Sequence, residues 1–174
     1  MKKILIAVII VIGLIFISSL LSQEFSYVGA DKCKICHKTE SRGKQYPIWE
    51  ESKHFQSFKA LSLPEAADTA QEAGVSDPQQ SEQCLKCHAP LHEKAPEIKK
   101  EGVTCEVCHG PGSEYKKLSV MQNREEAVKM GLTAYNSPQD IKNQCLTCHQ
   151  NAHGIPFDFD SSWETIKHPV PEKE

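Results

Sequence analysis

The sequence predicts a small, mainly α-helical domain organised around covalently held groups rather than around a large apolar core. Three observations lead there. All eight cysteines of the 174 residues fall in C-x-x-C pairs followed at once by histidine: Cys33, Cys36 and His37; Cys84, Cys87 and His88; Cys105, Cys108 and His109; Cys145, Cys148 and His149. No segment alternates apolar and polar residues with the period of a strand, whereas several repeat at helical spacing. The apolar set makes up 39% of the chain, and one N-terminal run takes a large share of it, so the remainder falls below the usual content of a soluble domain.

C-x-x-C-H is the attachment motif of c-type haem. Two thioethers hold the porphyrin, and the histidine places an imidazole on the iron from one face. Four copies therefore predict a small multihaem cytochrome c, with helices and long connectors packed around four covalently attached haem c groups. The eight cysteines are the cofactor-binding residues, and His37, His88, His109 and His149 are the proximal iron ligands. Zinc knuckles do not require a histidine after every pair. Disulfide frameworks do not usually consist only of two-residue spacers. A thioredoxin-like redox pair explains one copy, not four. Four porphyrins supply the apolar bulk that the polypeptide lacks, so the haem-free chain is not expected to fold compactly.

The elements follow in order. Lys2 and Lys3 precede an apolar run over residues 4–21. Residues 1–22 read as a signal peptide or an uncleaved membrane anchor forming an N-terminal apolar helix. Val28-Gly29-Ala30 is a better cleavage candidate than Leu20-Leu21-Ser22. Either way the tetrahaem domain, residues 27–170, is exported: periplasmic, or anchored to the outer face of the cytoplasmic membrane through residues 4–21. Residues 45–61 read as helix, with Glu51, His54, Phe58 and Leu61 at helical spacing. Ser62-Leu63-Pro64 restarts a helix that Gly74 ends. Ser81 can cap the helix carrying the second motif, and Pro90 stops it. A charged connector leads to the third motif and Gly110-Pro111-Gly112. Gly110 and Gly112 read as positions where backbone approaches a porphyrin. Ser113 opens a helical stretch broken near Asn123 and ended by Gly131. Ser137-Pro138-Gln139-Asp140 starts the helix of the fourth motif. Asn151 and Gly154 end that element, and Trp163 lies in a short tail turn or helix. The motif spacings are uneven, which excludes a solenoid.

Four histidines remain, His54, His92, His153 and His168, enough to give every haem a distal ligand. His92 follows His88 by four, and His153 follows His149 by four. On a helix such pairs point the same way, so these two are poorly placed for their own irons and suited to neighbouring ones. His54 shares a face with Phe58 and Leu61, and His168 sits in a tail with little other reason to be ordered. These two rank ahead of His153 and His92 as distal ligands. Met121 and Met130 read as packing residues rather than ligands. Trp49, Trp163, Phe55, Phe58, Phe157 and Phe159 are expected against porphyrin faces or edges.

Three stretches carry a family resemblance. They are residues 102–113, with Gly102-Val103-Thr104 before the third motif and Gly110-Pro111-Gly112-Ser113 after it; Trp49-Glu50-Glu51-Ser52-Lys53-His54; and Ile166-Lys167-His168-Pro169. Together they resemble the exported multihaem cytochromes of the cytochrome c-554 family, which includes a tetrahaem electron carrier of nitrifying bacteria. The resemblance implies a mainly helical fold with haems in stacked pairs. It implies bis-histidine ligation at most haems and an open sixth position at the second motif. It also implies that His54 is a distal ligand. One departure is visible: the family has a distal histidine some residues after its CHGPG turn. Here no histidine lies between His109 and His149, and Tyr115 stands in that segment.

The formal charge is −3, more negative once Lys2 and Lys3 are set aside. No basic run suggests nucleic acid, and an acidic carrier favours partners with a basic docking face. The favoured reading is an exported carrier that relays single electrons between redox protein donors and acceptors through closely packed haems, rather than an enzyme. One alternative is a reductase of nitric oxide, nitrite or hydroxylamine at a five-coordinate haem, placed at His88. Another is a structural subunit of a haem filament or membrane redox complex, an oligomer with a distal histidine donated across the boundary.

Overall fold

The computed structural model describes residues 24–150 and 152–169. The predicted signal peptide or anchor at 1–22 lies outside them. Among the described residues no helix is long and apolar enough to cross a membrane.

The fold is mainly helical, with no strand among the described residues. Its helices are α1 (Ala30–His37), α2 (Gln45–Glu50), α3 (Lys53–Ala60), α4 (Ala66–Glu72), α5 (Glu82–His88), α6 (Cys105–His109), α7 (Leu118–Met121), α8 (Arg124–Lys129), α9 (Pro138–Cys145) and α10 (Phe159–Ile166). Three motifs end a helix at their histidine, whereas the fourth runs past the end of α9. On a helix, residues i, i+3 and i+4 share a face, so both cysteines and the histidine of one motif present themselves together.

The single helix expected over 45–61 is two. Ser52 is extended, and its hydroxyl accepts from Phe55 N at 3.3 Å, capping α3. Local capping outweighs the continuous apolar spacing there. Ser113 does not open a helix either. Its backbone N–H donates to Ser26 O at 3.1 Å and its hydroxyl accepts from Ser26 N at 3.2 Å, which ties it to the irregular segment before α1 instead. The next helix begins at Leu118, and Asn123 breaks the stretch by capping α8. Ser137 and Asp140 form the expected capping box at α9.

Apolar packing is thin, as the composition predicts. The principal buried cluster is Phe58, Leu61, Leu85 and Ala89, where α3 meets α5. Burying each large side chain contributes about 1.5–3 kcal/mol, little against the ordering entropy of a chain this long. Polar groups do much of the positioning. Glu106, at 1% exposure, accepts from Val28 N at 2.9 Å and Gly29 N at 2.8 Å with one oxygen, and from Gly112 N at 2.6 Å with the other. Glu101 accepts from Ala30 N at 2.9 Å and from the Thr104 hydroxyl at 2.6 Å. A carboxylate at a helix start also suits the helix dipole. These two acids pin the entry of α1 against α6, and so fix the first motif relative to the third.

Candidate haem-binding centre

Four motif histidines and three of the four remaining histidines meet in pairs or stand close by. His149 faces His54 with ring centroids 6.1 Å apart. His88 faces His153 at 6.3 Å, and His109 faces His168 at 5.8 Å. An imidazole nitrogen sits about 2 Å from a bound metal, and the ring centre lies about 1 Å beyond it. Two imidazoles on opposite sides of one iron therefore have centroids about 6 Å apart. All three pairs have that separation, and each joins a motif histidine to one distant in sequence.

Local structure explains the pairing. His54 rides on α3, whose Ser57 ties α3 to α5: the Ser57 hydroxyl lies 2.8 Å from His88 O, and Ser57 O accepts from His88 Nδ1 at 2.9 Å. A carbonyl can only accept, so His88 carries its proton on Nδ1 and leaves Nε2 free for a metal. His153 has φ 58° and ψ 27°, a left-handed conformation uncommon outside glycine. That turn aims it at His88 rather than at its own His149, as the i+4 argument anticipates. His168 arrives from the segment after α10 and is half-buried; its Nδ1 is buried with no hydrogen-bond partner. A desolvated, unpartnered nitrogen is costly unless something ligates it or hydrogen-bonds to it.

Two histidines are unpaired. Among the described residues, which include all eight histidines, no second imidazole faces His37 or His92 at this separation. His92 Nδ1 instead donates to Ala89 O at 3.1 Å, within its own turn. An open position opposite His88 is therefore not what the geometry favours; the motif histidine without a facing ring is His37. Tyr115 is no substitute ligand opposite His109, since its buried hydroxyl donates to Gly110 O at 3.0 Å.

Electrostatics suit ligation. Burial holds His109 down at about 4, with His168 and His37 adding to the shift. Burial also lowers His54, where His149 contributes, and His149 and His168. These imidazoles are neutral near pH 7, the form that binds metal. Burial raises the thiols of Cys87 and Cys108 to about 11. Neutral thiols argue against preformed thiolate sites, and no three histidine, cysteine or acidic side chains converge on a common point among the described residues. All eight cysteines are free of disulfides.

The motifs adjoin one another in a definite order. α1 packs against α6, which brings Cys33 and Cys105 within electrostatic reach of each other. Cys108 lies within electrostatic reach of Cys145 and Cys148, and Gln144 Nε2 donates to Val107 O at 3.3 Å. Cys148 Sγ approaches Lys86 O at 3.9 Å, within electrostatic reach of Cys87.

Several residues expected beside porphyrins have defined protein neighbours. A Cβ on Gly110, at φ 80°, would collide with Gly131 O and meet Thr133 Oγ1 at 2.8 Å, while one on Gly112 would meet Glu106 Oε1 at 2.9 Å. Both glycines thus admit close approach of neighbouring protein segments. Trp49 packs edge-on against Tyr46 and Phe55 and donates its indole N–H to Val103 O at 2.9 Å. Phe58 sits in the α3–α5 cluster, Phe157 stacks on His149, and Phe159 stacks on Trp163. Sequence reasoning missed Glu101, Glu106, Ser57 and Gln45. Each acts on the backbone or on a histidine nitrogen, and no motif marks such partners.

Comparison with known proteins agrees with the geometry. The family model described as "Cytochrome c554 and c-prime" matches residues 32–110, which hold the first three motifs. The protein named cytochrome c-554 from Nitrosomonas europaea is 24% identical over 159 residues, covering 79% of this chain. The match spans 63% of that relative's length, a little under two thirds. No solved structure matches significantly. Both matches agree with each other and with the four C-x-x-C-H motifs, and they support the cytochrome c-554 family for this chain.

Proposed function

We propose that this chain is an exported, periplasmic tetrahaem cytochrome c that relays single electrons between redox protein partners. The observation that carries the reading is the three imidazole pairs at about 6 Å, the separation one iron between two axial histidines requires. When bound, the haem irons supply the chemistry by cycling between Fe(III) and Fe(II). The chain supplies everything else. Cys33 and Cys36, Cys84 and Cys87, Cys105 and Cys108, and Cys145 and Cys148 would hold the four groups. His37, His88, His109 and His149 would ligate from one side, and His153, His168 and His54 from the other side at the second, third and fourth motifs. The packing of α1 on α6, the Gln144 bond to Val107 O and the approach of Cys148 Sγ to Lys86 O favour the spatial order first, third, fourth, second. Ser57 fixes the tautomer of His88, and Glu106 with Glu101 sets the first motif against the third. Burial lowers the proton affinity of the ligating imidazoles and keeps them from competing for protons. The acidic charge favours partners with basic docking faces.

Intact-mass analysis of the protein matured in a haem-attaching host tests the count. Four additions of about 616 Da each are expected, and a colourless product at bare-chain mass overturns the reading. His153→Ala tests the pairing by electron paramagnetic resonance. One low-spin ferric haem, that of the second motif, is expected to become high-spin; an unchanged spectrum rejects His153 as its ligand.

A further inference from the structure

Gln45 opens α2, and its two amide ends reach different parts of the chain. Its Nε2 donates to Pro169 O at 2.9 Å. Its Oε1 lies 3.1 Å from His37 Nδ1. Amide orientation is normally ambiguous, but here the partner decides it. Pro169 offers only a carbonyl, which can only accept, so the amide nitrogen must face Pro169 and the amide oxygen must face His37. The oxygen in turn requires a proton on His37 Nδ1, which leaves His37 Nε2 free. The residue next to Pro169 is His168, the ring that faces His109 at 5.8 Å. The loop before Gln45 is shaped for this contact. Gly43 (φ 89°) and Lys44 (φ 51°) are both left-handed, and a Cβ on Gly43 would meet Pro169 O at 2.6 Å and Gln45 Nε2 at 2.7 Å.

The geometry points to Gln45 as a positioning residue shared by two haem sites: one end orients the proximal imidazole of the first, and the other anchors the strap that carries the distal imidazole of the third. The inference rests on the axial pairing proposed above. Its physical basis is general. An acceptor on the outer nitrogen of a ligating histidine fixes the ring and raises its basicity. A more basic axial ligand stabilises the ferric state and lowers the potential. The tail from Lys167 to Pro169 has no helix of its own, so the bond from Gln45 is a principal restraint on where His168 sits.

The test uses the holoprotein with its haems attached. His168→Ala comes first as a reference and is expected to turn one low-spin ferric haem high-spin. Gln45→Ala is expected to produce a fraction of that same high-spin signal and to raise the potential of the first haem. Gln45→Glu separates the two ends. Its carboxylate still accepts from His37, more strongly, so the first haem's potential falls below wild type; it cannot donate to Pro169 O, so the third haem still shows the high-spin fraction. Gly43→Ala, which crowds Pro169, is expected to reproduce the effect on the third haem. If His168→Ala adds no high-spin haem beyond those of the wild-type spectrum, the axial pairing fails. If His168→Ala behaves as expected while Gln45→Ala and Gln45→Glu leave both spin state and potentials at wild-type values, the pairing stands and the shared role of Gln45 is overturned. A generic loss of stability would not move the first haem's potential in opposite directions in the two Gln45 variants.

Discussion

Replacing Glu106 with glutamine is expected to destabilise the folded protein by about 2–4 kcal/mol, although the side chain barely changes in volume. The carboxylate accepts backbone N–H groups at both oxygens: Val28 and Gly29 at Oε2, Gly112 at Oε1. An amide offers one oxygen. Set with its oxygen toward Val28 and Gly29, it keeps those two bonds and presents N–H to the Gly112 N–H. One charge-assisted bond is then lost, worth about 1.5–3 kcal/mol, and a buried donor is left unsatisfied at a comparable cost, part of which is the same energy. The remaining two bonds also weaken when the charge goes. For a domain of this length each kcal/mol moves the melting point by about 2–4 °C, so a fall of about 5–15 °C follows. Guanidinium unfolding of the holoprotein, followed by far-ultraviolet circular dichroism, measures the difference directly. Glu106→Ala should cost at least as much, since it strands all three donors. A Glu106→Gln variant within 0.5 kcal/mol of wild type would show that the segment at 28–29 does not depend on this carboxylate, and the clamp between first and third motifs would have to be abandoned.

Acid should weaken the fold between about pH 6.5 and pH 4. His109 titrates at about 4 in the folded state, below its ordinary value, and His54, His149 and His168 shift the same way. As pH falls through this window the unfolded chain binds protons that the folded chain refuses, so stability must fall; unfolding midpoints that stay level from pH 7 to pH 5 would contradict the burial of these rings. Gly110→Ala should cost about 2–4 kcal/mol, combining a left-handed backbone with a Cβ forced against the Gly131 carbonyl. A melting curve matching wild type would show that the loop at 131–133 can retreat.

Much of the site can be read from residue order because its chemistry is local. A C-x-x-C-H segment on a helix carries its cysteines and histidine on one face by geometry alone, and α5, between Ser81 and Pro90, was legible from its flanking residues, whereas no local signal marked α1 or α6. The capping box at Ser137 and Asp140 is equally local. What the residue order hides is what depends on approach between distant segments. The helical spacing of Glu51, His54, Phe58 and Leu61 is real, yet Ser52 splits the helix because its hydroxyl satisfies Phe55 N. Glu106, lying between two cysteines, looks like a solvated acid until Val28, Gly29 and Gly112 surround it. Distal pairing is hidden for the same reason. Four spare histidines give a count, and only the fold shows that His153 faces His88, that His168 faces His109, and that His92 donates within its own turn.

The backbone at His153 bears on whether these pairings are incidental. A non-glycine residue at φ 58° costs about 1–3 kcal/mol and persists only where its surroundings over-determine it. No buried apolar contact holds His153 there, since the ring belongs to an exposed turn at Ala152–Gly154. Relaxing that φ would swing the imidazole away from His88. Iron ligation is an interaction strong enough to hold such a turn. The same reasoning applies to His168, whose buried Nδ1 lacks a hydrogen-bond partner. Both distal candidates that come from the C-terminal segment thus carry a local penalty that protein contacts do not offset, whereas His54, on a regular helix, carries none. Assembly order should reflect this. The region after residue 150 should dock only once haem is attached at the second and third motifs, and limited proteolysis should cleave it first when alanine replaces Cys84, Cys87, Cys105 and Cys108, so that these two motifs carry no haem while the other two do. Equal protection of this segment with and without these two haems would mean that protein packing alone positions His153 and His168.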